Sequence, residues 1–180
     1  TIQSTAPNGT DGIGANGNLR IAGSWIETSG KESFENIENS VLFNGTNGTV
    51  IGNASVLGDK TIAEGMTLTI PENASLTVPE GSTFTNNGTT TLVGTVTNNG
   101  IIVCNNHSGG TATCNTKAVC DLCKSEYGEI DPATHEALEH VAAKAATKDA
   151  EGNIEYWYCK DCNKYFSDKE ATKEISKSST

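Results

Sequence analysis

The chain has 180 residues, room for one or two domains, and a formal net charge of −10, which argues against nucleic acid, whose phosphates reward Lys and Arg. Only 35% of residues are hydrophobic, Gly, Thr and Asn are abundant and Met occurs once, so the composition argues against a large helical core. No apolar run approaches the length of a membrane span, and the single arginine, Arg20, nearly excludes bidentate clamps on carboxylate or phosphate.

The sequence starts at Thr1 without an initiator Met or a signal segment, which reads as a mature or excised fragment. Its first eighteen residues are turn formers and predict an extended, weakly ordered lead-in. Two apolar patches follow, Leu19–Arg20–Ile21 and Trp25–Ile26. From Glu32 to Leu42, the spacing of Phe34, Ile37, Val41 and Leu42 predicts a short helix, with a strand as the competing reading. Residues 1–40 are thus read as a lead-in and cap.

Residues 41–103 repeat themselves. Ile70–Pro71–Glu72 recurs as Val78–Pro79–Glu80, Thr85–Asn86–Asn87–Gly88 as Thr97–Asn98–Asn99–Gly100, and Leu68, Leu76, Phe84 and Leu92 fall at intervals of eight. Short segments between the turn signals alternate apolar residues with threonine, the pattern of half-buried strands. A mainly β fold follows: a short β-solenoid, with a β-sandwich as the alternative, in which each eight-residue coil contributes one strand. An open solenoid exposes unpaired strands at its ends, so the flanking 19–42 segment and the cysteine-bearing tail are expected to act as caps. Seven Asn-x-Ser/Thr sequons (Asn8, Asn44, Asn47, Asn53, Asn73, Asn87, Asn106) read either as glycan acceptors or as the by-product of an Asn/Gly/Thr-rich chain, and the second reading is preferred.

Residues 104–180 hold all six cysteines, all three histidines and most of the basic residues. His107, Cys114, Cys120 and Cys123 form one run of four donors; His135, His140, Cys159 and Cys162 form another. Two C-x2-C pairs accompanied by histidines point to structural zinc, one or two ions, with one Cys3His and one Cys2His2 site. Cys104 is left unplaced, as a metal ligand or a disulfide partner. The tail also repeats weakly: Ala112–Thr113–Cys114 precedes the first knuckle and Ala146–Thr147–Lys148 the second. A lysine at that place leaves the second knuckle one ligand short, a deficit that His135 and His140 together fill. A metal-free disulfide framework is the competing reading. The tail is expected to be a small α+β module, with a helix over 132–146 capped by Asp131 and started by Pro132. Five residues apart on such a helix, His135 and His140 point about 140° away from each other, which conflicts with a shared ion. Tyr156–Trp157–Tyr158 reads as a strand that packs a small core or stacks on a sugar.

The runs from His107 to Cys114, from Ala118 to Gly128, and from Ala145–Ala146–Thr147 through Gly152 to Asp168 resemble the Cys/His-punctuated repeat module found in large secreted and wall-attached proteins of gut-dwelling Gram-positive anaerobes. The Ile-Pro-Glu and Thr-Asn-Asn-Gly coils resemble the threonine-rich solenoid spacers of the same proteins. The resemblance spans roughly residues 60–176 and implies a bacterial surface protein with a stalk or adhesin-like role. Relative to that module, Lys148 replaces a cysteine and Asn163 a glycine.

The function expected is therefore a non-catalytic extracellular or cell-surface module, zinc-stabilised, acting as a stalk or as a binding domain for an extracellular protein or a glycan. No catalytic residue is assigned. A polysaccharide-active enzyme is the alternative, with Glu72 and Glu80 stacked one coil apart at equivalent Pro-Glu corners.

Overall fold

The computed structural model describes residues 2–4, 21–23, 25–28 and 37–180. Most of the lead-in, Leu19, Arg20 and Phe34 lie outside the described residues. Strand accounts for 44% and helix for 2%, and the strands build a β-solenoid of about four turns. Two compact units are distinguished: Thr1–Ser108 with Asp121–Lys124, and Gly109–Cys120 with Ser125–Thr180.

The first unit opens with β1 (Ile2–Ser4), β2 (Ile21–Ala22), β3 (Trp25–Thr28), β4 (Ile37–Glu38) and β5 (Ser40–Asn44). β1, β3 and β5 pair in parallel, as do β2 and β4. The helix expected to end at Leu42 is not formed over its described part: Ile37 lies in β4, and Val41 and Leu42 in β5. A spacing of four is even, so Ile37 and Val41 satisfy the period of a strand as well as that of a helix. Pairing with β3 settles the matter. A two-residue hairpin, with Gly45 at φ 59° in its first central position, then turns the chain antiparallel into β6 (Asn47–Ile51). Phe43 packs flat over Gly48, where any side chain would collide with the ring.

Three coils follow, each with three strands. β6, β7 (Asn53–Ser55) and β8 (Lys60–Ile62) form the first; β9 (Thr67–Ile70), β10 (Ser75–Val78) and β11 (Thr83–Asn86) the second; β12 (Thr89–Leu92), β13 (Thr95–Asn98) and β14 (Ile101–Cys104) the third. Parallel stacks β6-β9-β12, β7-β10-β13 and β8-β11-β14 make three sides. The eight-residue interval is therefore the step from one side to the next: Leu68, Leu76 and Phe84 sit on successive strands of a single coil, and a coil closes only after three strands. Leu68, Ile70, Leu76, Val78, Phe84 and Ile62 are fully buried and form the inner column. Trp25 extends it, with its ring 5.4 Å from Phe43 and edge-on to Phe84 at 6.2 Å.

The corners explain the recurring motifs. Ala63–Met66, Pro71–Ala74 and Pro79–Ser82 are tight turns, each closed by a backbone bond of 2.9–3.1 Å from its fourth residue to its first. The next coil passes over them at Gly88, Gly94 and Gly100, where a Cβ would run into the turn carbonyls of Met66 and Ala63, of Pro71 and Ala74, and of Pro79 and Ser82. Asparagines tie coil to coil: Asn105 Nδ2 donates to Asn87 Oδ1 (2.7 Å), Asn106 Nδ2 to Gly88 O (2.8 Å) and Ser75 Oγ to Asn53 Oδ1 (2.8 Å). Three of the sequon asparagines are thus used in stacking. Glu72 and Glu80 occupy successive exposed corners of the same coil and so do not stack one coil apart.

In the second unit β15 (Ala118–Val119) pairs with β16 (Glu126–Tyr127), and β17 (Leu138–Val141), β18 (Tyr156–Cys159), β19 (Lys164–Phe166) and β20 (Glu174–Ile175) form an antiparallel sheet. The helix expected over 132–146 is absent. Asp131 does cap a turn, accepting from Ala133 N (3.0 Å) and Thr134 Oγ1 (2.7 Å), but the chain leaves after that turn and Leu138–Val141 pair with β18. Sheet pairing overrides a helical propensity that is only a weak prior. The one helical element among the described residues is the 3-10 turn Lys177–Ser179, so the tail is a β unit rather than α+β. Its buried core is small, Cys114, Cys159, Phe166 and Ala171, with Leu138, Trp157 and Cys162 packed against it.

Leu76→Ala, in mid-column, is expected to cost about 3 kcal/mol in denaturant unfolding, whereas Leu57→Ala, at a site 63% exposed, costs less than about 0.5 kcal/mol. Gly94→Ala should be at least as damaging as the first, about 3 kcal/mol or more, because backbone on both sides cannot give way.

Candidate metal centres

Two clusters of donors assemble, each with all four ligand atoms within 4.8 Å of one another: Cys104, His107, Cys120 and Cys123, and Cys114, His135, Cys159 and Cys162. None of the six cysteines is in a disulfide. In each cluster two cysteines are buried and the histidine and last cysteine half-buried.

Local structure delivers each donor. Cys104 is the last residue of β14, and His107 follows after the chain has been tied to the preceding coil by Asn105 and Asn106. Cys120 and Cys123 lie on a tight knuckle whose next residue, Lys124, is left-handed at φ 61°, and the second knuckle, Cys159 to Cys162, ends the same way in Asn163 at φ 59°. Asparagine tolerates that conformation in place of glycine; lysine pays for it. Cys114 is held by two backbone bonds, Cys114 N to Thr134 O (2.8 Å) and Asp131 N to Thr113 O (2.9 Å). The turn capped by Asp131 thus positions both Cys114 and His135. The Thr134 hydroxyl and the Ala133 N–H hold the Asp131 carboxyl below the ordinary carboxylate range, so this turn stays intact until the pH falls below that range.

The separations fit a tetrahedral ion. Ligands at zinc–thiolate and zinc–imidazole bond lengths stand about 3.8 Å apart for sulfur with sulfur and about 3.6 Å for sulfur with nitrogen. Cys114 Sγ and Cys159 Sγ are 3.7 Å apart, and Cys123 Sγ to His107 Nδ1 and Cys162 Sγ to His135 Nδ1 are each 3.5 Å. Both imidazoles present Nδ1. The thiols bear the marks of a site built for a cation. Burial, reinforced by hydrogen bonds with Cys162 and Cys159, pushes Cys114 up to about 12. Burial acts in the same direction on Cys159, but the N–H groups of Cys162 and Asp161 outweigh it and lower its pKa. One thiolate forms easily and its neighbour resists, until a cation supplies the missing charge.

Eight of the nine residues singled out in the sequence as donors lie in one of the two clusters, but not all in the groups that spacing suggested. Cys114 leaves the first group for the second, across 45 residues. The previously unplaced Cys104 takes its place, as a ligand candidate. His140 joins neither: its Nε2 is 2.8 Å from Glu155 Oε1 and its ring stacks on Trp157 at 4.8 Å. The deficit left by Lys148, which is solvent-exposed, is met by Cys114, so both clusters are Cys3His rather than one being Cys2His2. One signal for this lay in the sequence: Cys104-x2-His107 has the same spacing as the knuckle it faces. Trp157 packs against the small core while the tyrosines beside it do not.

No protein-family model, curated protein or solved structure matches the chain. The donor geometry is therefore the ground on which function is argued.

Replacing Cys114 or His135 is expected to remove one ion per chain, and His140→Ala to leave the metal content unchanged, as read by native mass spectrometry. Because Cys114 must lose its proton to ligate, affinity at the second cluster should fall by at least about tenfold per pH unit below neutrality. Lys124→Gly should raise the stability of the metal-loaded protein by about 1 kcal/mol by relieving the left-handed lysine.

Proposed function

We propose that the chain is a non-catalytic, zinc-stabilised module of an extracellular or cell-surface protein, serving as a stalk and as a platform for a binding partner. The observation that carries this reading is the closure of both donor clusters: each offers four protein ligands within 4.8 Å of one another, whereas a catalytic zinc keeps one position open for water or substrate. Three thiolates with one imidazole suit zinc among divalent ions. The second unit, roughly seventy residues with four residues in its buried core, is of the size at which a metal staple takes the place of a larger core.

The rest of the proposal draws on the first unit. A threonine- and asparagine-surfaced solenoid is a stiff spacer with little to react. Among the described residues no helix is long and apolar enough to cross a membrane. An adhesin-like role at a bacterial surface follows from the motif resemblance.

Mass measurement of the purified protein, native and then denatured without reductant, tests the reading. Two zinc ions per chain and six free thiols on unfolding are expected, with chelation melting residues 109–180. Three disulfides in place of ions, or a tail indifferent to chelator, would overturn it.

A further inference from the structure

The antiparallel sheet of the second unit has two unlike faces. In antiparallel pairing, residues opposite one another share a face. Trp157 and Phe166 are paired, and they belong to the face that packs on the cysteine core. The other face carries the row Glu139–Tyr158–Tyr165–Ile175, one residue from each of β17, β18, β19 and β20, with the pair Val141–Tyr156 beside it. None of these six residues is buried. The three tyrosines touch one another, Tyr158–Tyr165 at 4.9 Å and Tyr156–Tyr165 at 5.7 Å between centroids, inclined by 38° and 55°. They form a faceted trough of half-exposed rings on a rigid sheet.

Polar groups stand at one end of this trough. A cleft of about 490 Å³ is lined by Tyr158, Tyr165, Asn163, Lys164, Glu174 and Ser176, among others. The Tyr158 hydroxyl donates to Asn163 Oδ1, and Lys164 Nζ donates to Glu174 Oε2 at 2.7 Å. The left-handed turn at Asn163 is what swings its amide to the ring edge.

We infer that this tyrosine trough and its polar cleft are a binding site for a neutral carbohydrate chain. A pyranose offers a flat C–H face to an aromatic ring and a rim of hydroxyls that both donate and accept. The trough supplies the rings, and the cleft supplies both kinds of partner: amide, ammonium and serine as donors, carboxylate and amide oxygen as acceptors. Lys164 and Glu174 neutralise each other, so the pair favours an uncharged ligand over an anionic one. Successive rings inclined to one another suit a chain that twists between sugar units. Tyrosine also costs little rotamer entropy on binding, with two side-chain torsions held by the sheet. The cleft lies in the size range of ligand sites and is polar rather than apolar, which separates it from a pocket for a drug-like ligand. The inference rests on the proposed binding role and names its ligand class.

The test is calorimetric titration of the metal-loaded 180-residue protein with cellohexaose, chitohexaose and maltohexaose, and with decaproline, the metal content being measured on the same samples. Saturable binding of at least one oligosaccharide is expected, about tenfold weaker or lost in Tyr165→Ala and retained in Tyr165→Phe, with two ions per chain in every sample. Loss of metal in Tyr165→Ala would mark a folding defect; Tyr158→Phe and Asn163→Gly, the latter compatible with the left-handed turn, then decide by weakening binding or leaving it unchanged. Absence of binding to all three sugars, binding unaffected by these changes, or binding of decaproline alone would overturn the inference. None of those results would touch the metal-stabilised module, which falls only if the ions are missing.

Discussion

Three thiols and an imidazole within bonding distance of a common centre make a poor neighbourhood unless a cation occupies it. Burial drives the Cys114 thiol up to about 12 while the knuckle N–H groups draw Cys159 down, so the cluster accepts one negative charge readily and the others only against a counter-charge. The second unit depends on that arrangement. Its core is four residues with three more packed against them, and three of the seven are cysteines of the cluster. An ion held there would make ligation and core formation one event, since the strands that carry the donors have little else to hold them together.

The solenoid is held by a different constraint, the close stacking of coil on coil. Its apolar column is narrow, with two buried side chains from each of β9 and β10, and its corners are packed backbone to backbone. Glycine over a tight turn lets Gly88, Gly94 and Gly100 cross above the turns at Ala63, Pro71 and Pro79 without a collision. Asparagine ladders satisfy polar groups between successive coils, and alternating threonines give the outer surface. Nothing in this scheme needs a large hydrophobic content, which is how a chain with so few apolar residues folds at all.

Much of the solenoid was legible in the sequence, because strand alternation and turn chemistry are local. The eight-residue interval was real, but its meaning was not legible: the same spacing fits one strand per coil or one side of a three-sided coil, and only the pairing of Ser75 with Thr95 and of Phe84 with Ile102 separates them. The helix predicted over 132–146, and the described part of the one predicted to end at Leu42, did not form because the local signals behind them are ambiguous. Intervals of four serve both periods, and a capping Asp131 with Pro132 marks where a turn begins without saying how far it continues. The knuckles were legible as metal-binding pairs, again from local spacing. Partner choice was not, since Cys114 finds Cys159 across the whole of the intervening chain, and sequence distance was the only guide to grouping. Besides the Cys104-x2-His107 spacing, the 140° conflict between His135 and His140 was a local hint that the grouping was wrong, and the strand at β17 removes His140 by pairing it opposite Trp157.

The assignment of donors to two interleaved Cys3His clusters is the central claim, and nitrogen NMR of histidine-labelled protein loaded with cadmium-113 tests it most directly. The account predicts two histidines, His107 and His135, coupled to two distinct cadmium ions through Nδ1, with His140 uncoupled. Coupling at His140, or both His135 and His140 coupled to one ion, would contradict it.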